Sequence, residues 1–130
     1  MASIFTKIIN GEIPSYKIAE NEDFYAFLDV FPIAKGHTLV VPKKEVDYMF
    51  DLDDELLGNL NIFSKKIAKA IEKSVDCKRI GTAVIGLEVP HAHLHLVPIN
   101  EINDLSFAKE KLKFTEEEMR EIVEKIKSNL

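Results

Sequence analysis

Cysteine is almost absent from this chain. The single Cys77 cannot close a disulfide within the chain, and a lone thiol suits a reducing compartment. No apolar run approaches the roughly 18 residues that a transmembrane helix needs, and the first residues lack the apolar core of a signal peptide. The cytoplasm is therefore the expected location, with no membrane partner. Positive charge is in deficit: 17 Lys and Arg stand against 22 Asp and Glu, a formal net charge of −5. That balance argues against nucleic acid or an anionic membrane as partner, while allowing a small local phosphate pocket. Internal repeats, low-complexity tracts and linkers are also missing. What remains is an ordinary globular mixture, 46% hydrophobic and 30% charged over 130 residues, enough for one domain with its own core.

Histidine is scarce too, with four residues in all, and three of them fall in one stretch: Pro90-His91-Ala92-His93-Leu94-His95-Leu96-Val97-Pro98. A strand places alternate residues on one face, so this pattern predicts a histidine face over an apolar back of Ala92, Leu94 and Leu96. Prolines bracket the run, as at strand ends. Two chemistries use such a face, metal ligation and imidazole catalysis. On an extended strand the Cα atoms of His91 and His95 lie about 13 Å apart, whereas zinc holds each nitrogen at about 2.1 Å. One ion could gather all three only at a sharp bend, and a structural site would also want more thiols than Cys77. The spacing thus favours imidazole chemistry, in which a neutral histidine attacks near pH 7 and its neighbours hold phosphate oxygens or assist a leaving group.

Taken in order, Ser3 to Ile13 carries Ile4, Phe5, Ile8 and Ile9 at helical spacing, with Asn10-Gly11 as a stop. Tyr16–Ala19 and Phe24–Val30 read as strands around a polar turn, and His37–Pro42 as a third, giving an antiparallel meander. Asp51 or Asp53 can cap a long helix over about 54–75, striped by Leu56, Leu60, Phe63, Ile67 and Ile71. A strand is expected over 78–87, then the histidine strand, then a polar connection over 100–105. Thr115 and Glu118 form a capping box for a C-terminal helix with Met119, Ile122, Val123 and Ile126 on one side. The fold class is α+β: an antiparallel sheet of about five strands with one long helix, a short N-terminal helix and a C-terminal helix.

His-Ala-His-Leu-His-Leu-Val at 91–97 resembles the histidine triad motif, His-φ-His-φ-His-φ-φ with φ apolar. Three upstream segments resemble the same family in the same order: Ser-Ile-Phe-Thr-Lys-Ile-Ile-Asn-Gly-Glu-Ile-Pro at 3–14, Phe-Leu-Asp-Val-Phe-Pro at 27–32 and Gly-His-Thr-Leu-Val-Val-Pro-Lys-Lys at 36–44. The resemblance covers about residues 3–100, with 105–130 as a helical extension of a single histidine triad domain. It implies a nucleotide-binding hydrolase or transferase acting at the α-phosphate of purine nucleoside 5′-conjugates, with no cofactor. It implies that His93 is the nucleophile, that His91 and His95 hold phosphate oxygens, and that His37 is a fourth active-site histidine. Asp29 would bind the ribose hydroxyls, a role that suits a carboxylate facing two O–H donors. Ile4, Phe5, Ile8, Phe27 and Val30 would wall the base, and family members pair as homodimers.

The chain also departs from the pattern. Many relatives carry two cysteines and a histidine that bind zinc with a triad histidine. Here those positions are Ser3, Thr6 and Glu45, so no zinc is expected. Glu88 stands where relatives place a hydroxyl that touches phosphate. Three alternatives accompany the phosphoramidate reading: a dinucleoside polyphosphate hydrolase, a nucleotide-binding regulatory protein with little turnover, and a metal-binding protein using His91, His93 and His95.

Overall fold

The computed structural model describes residues 2–130. Short polar turns and β-forming runs build the meander: β1 (Lys17–Glu20), β2 (Phe24–Leu28) and β3 (Thr38–Pro42) pair antiparallel in sequence. Two later strands, β4 (Arg79–Ala83) and β5 (Leu94–Ile99), extend the sheet to the order β1-β2-β3-β5-β4. β2 and β3 are buried along their whole length, because the sheet is covered on both faces.

One face is covered by the long helix α2 (Asp54–Ser74) and the C-terminal helix α3 (Glu116–Ser128). Leu60, Ile67 and Ile71 from α2, and Met119, Ile122, Val123 and Ile126 from α3, join Ala92, Leu94 and Leu96 in the main core. The apolar back expected of the histidine run is thus in place. Asp53, rather than Asp51, caps α2 by accepting the Leu56 N–H, and Asp51 instead closes a 3-10 turn at Met49–Asp51. The capping box of Thr115 and Glu118 starts α3 as expected. The other face carries a smaller cluster of Phe5, Tyr25, Phe27, Leu39 and Val41 beneath the short helix α1 (Ile4–Ile9). No helix among the described residues is long and apolar enough to cross a membrane.

Three strand boundaries differ from expectation by two residues or more. β2 stops at Leu28, because the Asp29 carboxylate turns back to accept the Phe31 N–H at 2.8 Å. β4 ends at Ala83 rather than 87. β5 begins at Leu94 rather than 90: its pairing with β3 reaches only Val40↔Leu94. Two residues further on, β3 offers Pro42, which has no N–H to continue a ladder. The chain there bonds elsewhere, with the Ala92 N–H to Val46 O at 2.7 Å and the His91 N–H to Val89 O at 2.8 Å. His91 and His93 therefore sit on the approach to the strand, and only His95 is in it.

Candidate active site

That approach orients the middle histidine. His93 Nδ1 lies 2.7 Å from the backbone oxygen of His91. A carbonyl only accepts, so Nδ1 carries the proton and the Nε2 lone pair is left bare. Phe5 packs edge-on against the ring, with centroids 5.0 Å apart.

A second chain of hydrogen bonds sets the neighbouring imidazoles. The Ile33 N–H donates to His37 Nδ1 at 3.1 Å, which makes Nδ1 an acceptor and places the proton on Nε2. His37 Nε2 is 2.9 Å from His95 Nδ1 and 3.6 Å from Asp29 Oδ2, so its proton goes to His95. His95 is then protonated on Nε2 and offers that N–H to a ligand. Burial holds both rings neutral: the His37 pKa falls to about 4 and that of His95 to about 3, with the Lys111 charge and, for His95, the neighbouring rings adding to the effect. One lone pair and one N–H thus stand side by side, on rings 5.0 Å apart.

Both rings open on a cavity of about 450 Å³, a size suited to a small organic ligand. His37, His93, His95, Asp29, Glu88, Ile4, Phe5, Ile8, Phe27 and Val30 all line it. Phe5 and Phe27 are also core residues, but Ile4 and Val30 are 49% and 56% exposed, so their apolar surface is left for an occupant rather than spent on packing. One Asp29 oxygen is held by the Phe31 N–H, while Oδ2 lies 3.6 Å from His37 Nε2. Glu88 is exposed.

His91 does not line the cavity, contrary to the role in holding phosphate oxygens that the resemblance implies. Its ring is fully buried, with Nε2 donating to Pro42 O at 2.8 Å and Nδ1 accepting from Ser3 Oγ at 2.7 Å. Burial lowers its pKa and keeps it neutral, which this pairing requires. His91 therefore serves through its backbone oxygen, which orients His93. Ser3 is itself anchored: its N–H and the Thr6 hydroxyl both donate to Glu45 Oε1, each at 2.6 Å, and Ser3 Oγ accepts the Thr6 N–H. These hydrogen bonds hold the Glu45 carboxyl at a pKa of about 2. Ser3, Thr6, Glu45 and His91 thus converge as the zinc-site positions of relatives would, but two neutral hydroxyls and one carboxylate already bonded to each other do not suit zinc, which favours thiolate and imidazole. The triad histidines do not converge on one point either. Among the described residues, the group of three potential ligand atoms lying within 4.8 Å of one another is that of Asp29, His37 and His95, and a hydrogen bond already joins the last two.

Two further cavity residues, Phe107 and Lys111, come from the connection before α3. Phe107 stacks edge-on against His95 at 4.6 Å between centroids. Lone residues in a polar, aperiodic segment carry no periodicity, so nothing in the sequence pattern marks them.

Known proteins share the fold that carries these residues. The family model described as HIT domain matches residues 10–102. The adenosine 5′-monophosphoramidase of Schizosaccharomyces pombe is 34% identical over 132 residues, covering 100% of this chain and 99% of that protein. A Hit-like protein from Bartonella henselae superposes with a TM-score of 0.85 at 34% identity, over 98% of this chain and 96% of that one. A zinc-bound histidine triad family protein from Mycobacterium smegmatis gives 0.82 at 29% identity, over 98% and 95%. The domain match spans the strands, the long helix and the cavity histidines alike, and the chain therefore belongs to the histidine triad family.

Proposed function

We propose that the cavity binds a purine nucleoside 5′-conjugate and that His93 cleaves it at the α-phosphorus. The observation that carries this reading is the 2.7 Å bond from His93 Nδ1 to His91 O, which leaves Nε2 with an unshared pair on the cavity side. In the first step Nε2 bonds to phosphorus, the bond from phosphorus to the leaving group breaks, and a leaving amine takes up a proton from solvent. In the second, water attacks phosphorus and gives up a proton to solvent, the P–Nε2 bond breaks, and the nucleoside monophosphate departs. The His95 Nε2–H donates to a phosphoryl oxygen as charge builds there. Asp29 takes the ribose hydroxyls, and Ile4, Phe5, Ile8, Phe27 and Val30 enclose the base. The name of the S. pombe relative, an adenosine 5′-monophosphoramidase, supports this substrate class. A second reading, nucleotide binding with little turnover, draws on Glu88, whose charge at the cavity wall opposes a phosphate.

We also read residues 1–130 as one domain, since α3 packs into the core of the same sheet. This domain pairs as a homodimer through β4 and α2. β4 is an open edge of the sheet, and Val84, Ile85 and Leu87 after it, with Ile62 of α2, are exposed apolar residues.

Rapid-quench mass spectrometry with a slowly hydrolysed adenosine phosphoramidate tests the mechanism. A nucleotidyl adduct is expected on the peptide holding residues 91–95, with net retention at a chiral phosphorus. Turnover with no adduct and with inversion would mean direct attack by water and would remove His93 from the nucleophile's role. Adenosine monophosphate binding without any turnover would favour the second reading.

A further inference from the structure

Charge around the cavity is unevenly supplied. Two carboxylates line it, Asp29 and Glu88, and Lys111 is the one lysine or arginine among the described residues that do so. His37 and His95, held neutral by burial, add hydrogen bonds but no fixed positive charge at pH 7. A phosphate entering this space brings at least one negative charge, and Lys111 is the group that can balance it.

The lysine is placed rather than loose. Its Nζ donates to Phe107 O at 3.0 Å and lies 5.8 Å from the centroid of the Phe107 ring. That ring in turn packs against His95 at 4.6 Å and His37 at 6.1 Å. The adjoining Leu112 N–H bonds to Pro32 O at 2.8 Å, which pins the segment to the loop after Asp29. None of the ion pairs among the described residues uses Lys111, and an ammonium has three donors, of which Phe107 takes one. A lysine held at a cavity wall with donors to spare has the chemistry of an anion contact. The residue also lies beyond the matched stretch 10–102, so it is a property of this chain's extension rather than of the matched domain.

We propose that Lys111 is the cationic contact for the substrate's phosphate, the residue by which the cavity selects a nucleotide over an uncharged nucleoside. This rests on the nucleotide reading above and adds to it a charge-based preference that the neutral pair of His37 and His95 cannot supply. Titration calorimetry with adenosine monophosphate and with adenosine separates the two. Lys111→Ala should weaken monophosphate binding by about tenfold at low salt while leaving adenosine within about twofold, and the difference should narrow as salt is raised. Lys111→Arg should keep most of the preference, and Lys111→Glu should reverse it. Equal losses for both ligands, or none for either, would overturn the proposal, since a packing role for the side chain would not distinguish them. Wild-type protein that binds neither ligand would overturn the nucleotide reading itself, and the role of Lys111 with it.

Discussion

Asp29 shows how one side chain serves fold and site together. One oxygen ends β2 by accepting the Phe31 N–H, and the residue also lines the cavity. Asp29→Ala should weaken nucleotide binding by roughly 1–3 kcal/mol, the range for losing hydrogen bonds to a charged group. The loss should shrink for a 2′,3′-dideoxy ligand, and calorimetry giving equal losses for both would show that the carboxylate does not meet the ribose. At this scale part of the cavity was legible in the residues themselves. His93 and His95 could be singled out because scarce histidines alternate along one run, whereas His37, Asp29 and the five apolar residues were reached only through the resemblance to the histidine triad family. Lys111 and Phe107 were reached by neither route, because a lysine in a charged segment looks like any solvated lysine until the fold brings it to a wall. His91 was placed too simply, since alternation along a strand says which side a ring takes but not what already occupies its nitrogens.

Among the elements, the N-terminal turn and the histidine run depend on one another. Ser3 caps α1, steers the His91 ring and is anchored by Glu45, so the residue whose backbone oxygen orients His93 is held by one 88 positions away in sequence. Glu45→Ala should lower kcat by on the order of tenfold while leaving KM little changed, because the nucleophile is misaimed but the ligand walls stay. Glu45→Gln, whose amide oxygen can accept the same two bonds, should restore most of the rate. Stopped-flow rates unchanged in Glu45→Ala would disconnect Glu45 from the nucleophile. The elements were the most legible part of the chain: α2 and α3 announced themselves by stripe and cap, and the meander by its turns. The boundaries of β4 and β5 were not, because the strand-like histidine run leaves the ladder where Pro42 has no proton to give, a matter of pairing register that the run cannot reveal alone.

Over the whole molecule, pH and association both bear on the buried pair of His37 and His95. Their pKa values lie at about 4 and about 3, below the 6.5 of a free ring. Folding therefore favours the neutral rings: their contribution is fully present above about pH 6.5 and is lost as pH falls towards 4, by on the order of 3 kcal/mol for each ring. Urea midpoints should be level between pH 7 and 8 and drop between 6 and 4, with a gentler slope in His37→Asn. A level midpoint down to pH 4.5 would contradict the buried neutral pair. The open edge at β4 predicts that light scattering finds a dimer at micromolar concentration, and that Arg79→Pro, which strips a backbone donor from the edge strand, shifts it towards monomer. A wild-type monomer at that concentration would refute the pairing. The relay from the Ile33 amide through His37 to His95 also has a direction. Protons point along it from the backbone of one loop towards the cavity, so which ring gives and which receives is decided by a peptide group that no ligand touches. The site's polarity could thus be inverted without altering any wall, by a change in that loop alone, and a drifted copy of this chain could keep all four histidines and still read the opposite sign.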